Sequence, residues 1–227
     1  MANLMTTAPR VPVLCAGDRL TRTEFERRYS AMPDLKKAEL IEGVVYMGSP
    51  VSHTRHGGPH RVLSLWLGFY EEITPGLISS DNATVRLDLD NEPQPDLLLC
   101  IPAAAGGTSR LSSDGYLEGP PELVIEVAAS SVSYDLHQKL HAYRRNGVQE
   151  YIVHRVEDRE VDWFVLEGGA YVRQQPDAAG LLTGRVFPGL VLDVAALLRE
   201  DFAALEAAIE RAVKTPEHAA FVRRLGS

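Results

Sequence analysis

A mixed α/β (α+β) domain, built on a central mixed β-sheet flanked by helices, is the fold class that the sequence predicts. Three features predict it. The apolar run Glu122–Val127 leads into a helical stretch and then into a second β-prone run, Gln149–Val156, the strand–helix–strand order of a βαβ crossover. Short strands punctuated by turn signals lie on both sides of that unit and require antiparallel hairpins as well. An amphipathic stretch near the C-terminus supplies a further helix.

The 227 residues suit one domain with ample material for a core. Residues 1–20 read as an irregular lead-in, 21–213 as the domain and 214–227 as a tail. A hydrophobic share of 45% and a charged share of 24% are those of a globular chain in water. No apolar run approaches a bilayer-spanning length, and Met1–Asp18 lacks the basic-then-apolar order of a secretory signal. A cytoplasmic location with no membrane partner is therefore expected. Cys15 and Cys100 have neither disulfide-framework nor metal spacing, and Cys100 reads as a small buried hydrophobe.

Taken in order, Thr21–Glu26 opens a short helix, with Thr23 and Glu26 at capping-box spacing. Glu39–Met47 reads as two short strands about a Glu42-Gly43 turn. His53, His56 and His60 tempt a zinc reading, but Gly57-Gly58-Pro59 argues against a regular helix there, and solvated or capping roles account for them. From Arg61 to Glu72, Val62, Leu65, Trp66 and Phe69 form a buried helical face. Thr84–Leu89 alternates as a strand, and Asp90–Pro93 turns it into an antiparallel pair with the strand that Asp96 opens. Pro102–Pro120, rich in Ala, Gly and Ser, is a long loop, either a flap over substrate or a plain insertion.

Asp135–Tyr143 is helical, with Leu136, Leu140 and Tyr143 as its buried stripe and Lys139 at the stripe's edge. Asn146-Gly147 stops it. Gln149–Val156 and Glu160–Leu166 are strands about Glu157-Asp158, and Ala170–Gln174 is a third. His137 and His141 have the spacing of a zinc pair, but no Glu follows His137 and exposed helix positions explain both. Residues 193–213 read as one helix capped by Asp193. Its face of Leu198, Phe202, Leu205 and Ile209 packs on the sheet or on a second subunit.

The chemistry-bearing residues stand out against this frame. Asp96 and Glu126 each lie in an apolar, β-prone run, where an ionised carboxylate is costly unless something compensates it. Along the second run Leu123, Ile125 and Val127 share one face, and Val124, Glu126 and Ala128 the other. If the two strands are neighbours, the carboxylates converge. Converging carboxylates resist joint ionisation unless a cation lies between them, and Mg²⁺ is the simplest hard partner. The helix that follows can swing Lys139 back toward them. Against this stands the plainer account: Asp96 as a loop cap and Glu126 as a structural acid paired with Arg or Lys.

Asp96, Glu126 and Lys139, set in PQPDLLLC, PPELVIEVAASS and YDLHQKLHAYRRNGVQEYIVH, resemble the PD-(D/E)XK restriction-endonuclease-like nucleases, and within them the bacterial Uma-type group. AELIEGVVYMGSPVSHTRHG and TVRLDLDNEPQPD match that group in order, so the resemblance covers roughly residues 21–175. It implies a restriction-endonuclease-like core and a metal-dependent endonuclease. The lysine usual two residues after the second acid is Ala128 here, so the resemblance assigns its place to Lys139. Asp96, Glu126 and the backbone carbonyl of Val127 would hold Mg²⁺ or Mn²⁺. Glu39, Glu42 and His56 are the auxiliary candidates, with Glu39 the better of the two acids.

The expected partner is nucleic acid, DNA favoured over RNA, cut by a homodimer. A net charge of −8 limits phosphate affinity, since Arg27-Arg28, Lys36-Lys37, Arg144-Arg145 and Arg223-Arg224 are each nearly balanced by nearby acids. Binding is thus expected to be weak and metal-dependent. Two other readings keep the fold: a catalytically silent binding or regulatory protein, and a metal-dependent hydrolase of a smaller phosphate ester.

Overall fold

The computed structural model describes residues 10–48 and 50–226, so Met1–Pro9 of the expected lead-in lie outside the described residues. Helix α1 (Arg22–Ser30) begins at Thr21, not Thr23, and has no side-chain cap. The expected capping box of Thr23 and Glu26 is absent: Thr23 lies inside the helix, and Glu26 pairs with Arg22 and Arg86. Strands β1 (Ala38–Ile41) and β2 (Val44–Met47) form the expected hairpin. Its turn places Glu42 and Gly43 at positive φ, 52° and 71°, which glycine tolerates at the second position.

A π-helical turn, His53–Gly57, runs into α2 (Gly58–Glu72), so the interruption expected at Gly57-Gly58-Pro59 does not occur. Pro59 sits in the first turn of α2, where a missing N–H costs nothing. The packed face is Val62, Leu63, Trp66, Leu67 and Tyr70; Leu65, expected inside, is 43% exposed. The buried stripe is thus rotated around the helix from the expected one.

β3 (Ile78–Asp81), β4 (Val85–Arg86), β5 (Leu97–Cys100), β6 (Arg110–Leu111) and β7 (Leu117–Glu118) follow. The expected strand Thr84–Leu89 contracts to β4, which pairs with β7, while β3 is the antiparallel partner of β5. Residues 102–120 are accordingly not an open flap. β6 and β7 fold against β4 as a three-stranded sheet. Glu122 pins the segment, accepting from the N–H groups of Ile101 and Thr108 and from the Thr108 hydroxyl. Gly107 lies so close to the Ile101 carbonyl that no Cβ would fit.

β8 (Leu123–Ala128) leads into one helical run made of α3 (Val132–Tyr134), a π turn at Asp135–Lys139 and α4 (Leu140–Asn146), which ends at Gly147 with φ 86°. β9 (Glu150–Arg155), β10 (Glu160–Glu167) and β11 (Ala170–Arg173) fall where expected. The central sheet has the order β11-β10-β9-β8-β5-β3, parallel between β8 and β9 and antiparallel elsewhere. This is the predicted mixed sheet. One face carries Leu97, Leu99, Leu123, Ile125 and Val127 into the main core with Trp66 and Trp163. The other packs Val124, Ala128, Tyr151 and Val153 against Tyr143, with Leu136 and Leu140 partly buried beside them.

β12 (Leu181–Thr183) and β13 (Val191–Asp193) form a small separate hairpin. The single helix expected over 193–213 is two, α5 (Val194–Leu198) and α6 (Phe202–Ala212). Asp193 caps the first as expected, but Asp201 supplies a second cap and Glu200, at φ 55°, turns the chain between them. Leu205 and Ile209 enter the main core, so this face packs within the chain. The expected tail forms α7 (Pro216–Leu225), capped by Thr215, with Phe221 and Leu225 in the same core. No described helix is long and apolar enough to cross a membrane.

Candidate active site

Sheet register brings the two acids together. β5 and β8 are antiparallel with Leu97 opposite Ile125, so Asp96, one residue before β5, continues the register opposite Glu126. Both are buried, each at 4% exposure. Asp96 Oδ2 accepts from the Val127 N–H at 2.7 Å, tying the end of one strand to the other, and lies 3.2 Å from His56 Nε2. Glu126 Oε1 accepts from Lys139 Nζ at 2.8 Å and from the Tyr143 hydroxyl at 2.9 Å. Each carboxylate therefore spends its hydrogen bonds on one oxygen. Asp96 Oδ1 and Glu126 Oε2 carry none among the described residues.

Two other elements close the cluster. The hairpin presents Glu39 opposite Tyr46, and Glu39 Oε1 lies 3.0 Å from Lys139 Nζ and 2.7 Å from the Gln94 N–H. The helical run contributes Asp135, Lys139 and Tyr143 at steps of four residues. Residues four apart share one face of a helix, and this run carries a π turn over Asp135–Lys139. Asp135 Oδ1 is 3.9 Å from Lys139 Nζ. The Tyr134 ring lies 5.4 Å from that ammonium and 4.2 Å from the Tyr46 ring, centroid to centroid. All of these groups except Tyr143 and Gln94 line a cleft of about 290 Å³, together with Lys37 and Arg55.

Burial raises the Asp96 pKa, but hydrogen bonds from His56 and the Val127 N–H and the charges of His56 and Lys37 outweigh it and hold it below its ordinary value. Glu126 is displaced upward, first by burial and then by Asp135, Asp96 and Glu39, with Lys139 pulling the other way. Asp135 is likewise raised by burial. Burial alone would strip the proton from Lys139, but Glu126, Glu39 and Asp135 hold it on. Burial and Glu126 keep Tyr143 protonated, as its donor role requires. Four acids thus share one ammonium in a space shielded from water, and burial shifts two of them, Glu126 and Asp135, toward their protonated forms.

Of the residues singled out from sequence, Asp96, Glu126, Val127, Lys139, Glu39 and His56 line this cleft. Glu42 does not; it stays in the turn and pairs with Arg145 at 2.9 Å. Lys139 is 3% exposed, well inside the stripe whose edge it was expected to occupy. His60 reaches the Asp96 carbonyl at 3.3 Å and its ring stacks on His56, but among the described residues no three His, Cys, Asp or Glu side chains come together as a group that could hold a metal ion. His137 and His141 are exposed. Asp135, Tyr134 and Tyr46 were missed. The i, i+4, i+8 spacing of Asp135, Lys139 and Tyr143 was the available signal, obscured because Tyr143 also suits an apolar stripe.

A strand pair offering opposed acids, a crossover helix and a flanking hairpin define a restriction-endonuclease-like domain. The chain belongs to the Uma2 family, described as "Putative restriction endonuclease", whose profile matches residues 22–195. Among solved structures it is similar to a "putative nuclease belonging to DUF820" from Anabaena variabilis, with a TM-score of 0.57 at 14% identity. That match covers 77% of this chain and 97% of the other, and it shows the shared fold. Comparison with curated proteins finds no match. Membership of the family supports a nuclease, with nucleic acid as its substrate class.

Proposed function

We propose that the chain is a Mg²⁺-dependent endonuclease, acting on DNA in preference to RNA, as a cytoplasmic homodimer. The observation that carries this reading is the pair of opposed carboxylates, each anchored through one oxygen and open at the other. The donor set suits a small hard cation. Mg²⁺ is commonly held by one or two carboxylates, with waters and substrate phosphate completing its octahedron. Asp96, Glu126 and the Val127 carbonyl would hold it. When bound, it would lower the pKa of a water and offset charge on the phosphorus.

The chain's own groups do the rest. Tyr143 and Lys139 fix the Glu126 carboxylate through Oε1, and the Val127 N–H and His56 fix Asp96 through Oδ2. The Lys139 ammonium, kept charged by its acids, orients the attacking water and opposes negative charge developing on the phosphate. Lys37 and Arg55 line the cleft, though Arg55 is paired with Glu157. With few unbalanced cations, affinity depends on neutralising the acids first, so binding is weak without metal.

The test is cleavage of plasmid DNA and of RNA with Mg²⁺ or Mn²⁺, compared across wild type, Asp96→Ala and Glu126→Ala. Loss of metal-supported cleavage in both folded variants is expected, and retained cleavage in either removes this site. Turnover of a generic phosphodiester with no cleavage of DNA or RNA would assign the cleft to a smaller phosphate ester.

A further inference from the structure

We infer that the Lys139 ammonium is a built-in second cation, so that the cleft loads one divalent ion per chain and Glu39 is a positioning residue for Lys139 instead of a metal ligand. This rests on the metal-site reading above. Four acids, Glu39, Asp96, Glu126 and Asp135, are buried around the cleft at 7%, 4%, 4% and 2% exposure. A single divalent ion leaves such a set under-compensated, and two-ion sites solve this by bridging carboxylates.

Here the space between Glu39 and Glu126 is already bridged. Lys139 Nζ donates a charge-assisted hydrogen bond to Glu126 Oε1 at 2.8 Å and forms an ion pair with Glu39 Oε1 at 3.0 Å. The helical run places the ammonium on the face it shares with Asp135, whose Oδ1 is 3.9 Å away, and with Tyr143, which also donates to Glu126 Oε1. The Tyr134 ring lies beside it, and Gln94 N–H holds Glu39 Oε1 from the far side. An ion bridging the same two acids would have to displace the ammonium or lie against a like charge in a poorly screened space. Between Asp96 and Glu126, by contrast, no side-chain cation bridges the pair among the described residues, and each offers an unengaged oxygen. The two gaps on either side of Glu126 therefore have different occupants: a fixed lysine in one and an exchangeable ion in the other.

The experiment is equilibrium dialysis against Mn²⁺ with the bound metal counted, and electron paramagnetic resonance to distinguish isolated from paired ions. Wild type is expected to hold one ion with an isolated-ion spectrum. Lys139→Ala is expected to hold two with a coupled spectrum, and Lys139→Ala combined with Glu39→Gln to return to one. Circular dichroism checks the fold. Lys139→Gln, which fills the same space without charge, replaces the alanine variant if the latter does not fold. Two ions in wild type, or still one in a folded Lys139 variant, overturn the inference while leaving the metal site in place. No ion in wild type overturns the metal-site reading itself, and this inference with it.

Discussion

Two kinds of buried acid share this sheet, and they are solved differently. Glu122 and Glu150 have both oxygens satisfied. Glu122 binds the Ile101 N–H through Oε2 and Thr108 through Oε1. Glu150 binds the Trp163 indole through Oε2 and the N–H groups of Arg185 and Val186 through Oε1. Asp96 and Glu126, equally buried, have one oxygen anchored and one open. The first pair is closed and braces the loops after β5 and before β13. The second pair is anchored through one oxygen each, and Glu39 is likewise engaged only through Oε1 among the described residues. Burial alone does not separate these acids from Glu122 and Glu150; the count of engaged oxygens does.

The sharpest way to break the comparison is to remove a closed acid. Glu150→Ala orphans the buried Trp163 indole N–H and the part-buried N–H groups of Arg185 and Val186; at about 1–3 kcal/mol for a buried donor and less for the other two, the loss in urea-measured stability is expected at about 2–5 kcal/mol. A loss below about 1 kcal/mol would mean that the closed acids are dispensable after all. Asp96→Asn should behave in the opposite way. Asparagine keeps an oxygen to accept the Val127 N–H, so stability should change by less than about 1 kcal/mol. Metal-supported cleavage should fall by about 10²–10³-fold, by analogy with removing one charge-stabilising group. A stability loss as large as that of Glu150→Ala would class Asp96 with the structural acids.

The sequence revealed the open pair better than the closed one. Period-two alternation placed Glu126 opposite the Leu123–Ile125–Val127 face, and the β8–α–β9 crossover followed from element order. Glu150 offered no such cue, because its donors lie 13 to 36 residues away in segments that only the folded chain brings near. The pairing of β5 with β3 was hidden for a related reason: Ile78–Asp81 has polar Ser79 and Ser80 at its centre and little of the alternation that marks a strand. The π turn over Asp135–Lys139 has no signature in residue type at all. The break between α5 and α6 was readable, since Asp201 is an evident N-cap, but the continuous apolar stripe across it suggested one helix.

A third acid, Glu92, sharpens the contrast, because burial and a neighbouring carboxylate push its pKa up, as burial and its acidic neighbours do for Glu126. Glu92 is buried, lies close to Glu26, and has its Oε2 without a hydrogen-bond partner. Burial, then Glu26, pushes its pKa up from 4.5 to about 8, against the pull of Arg86 and Arg22. The folded state therefore binds the proton more tightly than the unfolded chain does. The resulting stability is fully present below pH 4.5 and is lost as pH rises through about 8. Glu92→Gln should remove this dependence and leave the variant more stable than wild type at pH 9, by on the order of 2 kcal/mol. Parallel pH–stability profiles for the two proteins would show that Glu92 is ionised in the fold and belongs with the paired acids.

The smallest expected effect probes how closed a closed acid must be. Thr108 gives Glu122 Oε1 two bonds, from its N–H and its hydroxyl, and the hydroxyl also lies 2.9 Å from the Pro120 carbonyl. Thr108→Val keeps the shape and the N–H but removes the hydroxyl. Glu122 then still has one bond on each oxygen, from Thr108 N–H and from Ile101 N–H. The cost should be that of a single hydrogen bond, about 0.5–1.5 kcal/mol, measured by urea unfolding. Cleavage should be unchanged, since residues 102–120 do not line the cleft. A larger loss would show that Glu122 needs every donor it has. A loss of cleavage would show that the segment acts on the site from a distance, and the division between bracing acids and site acids would then fail at this end of the sheet.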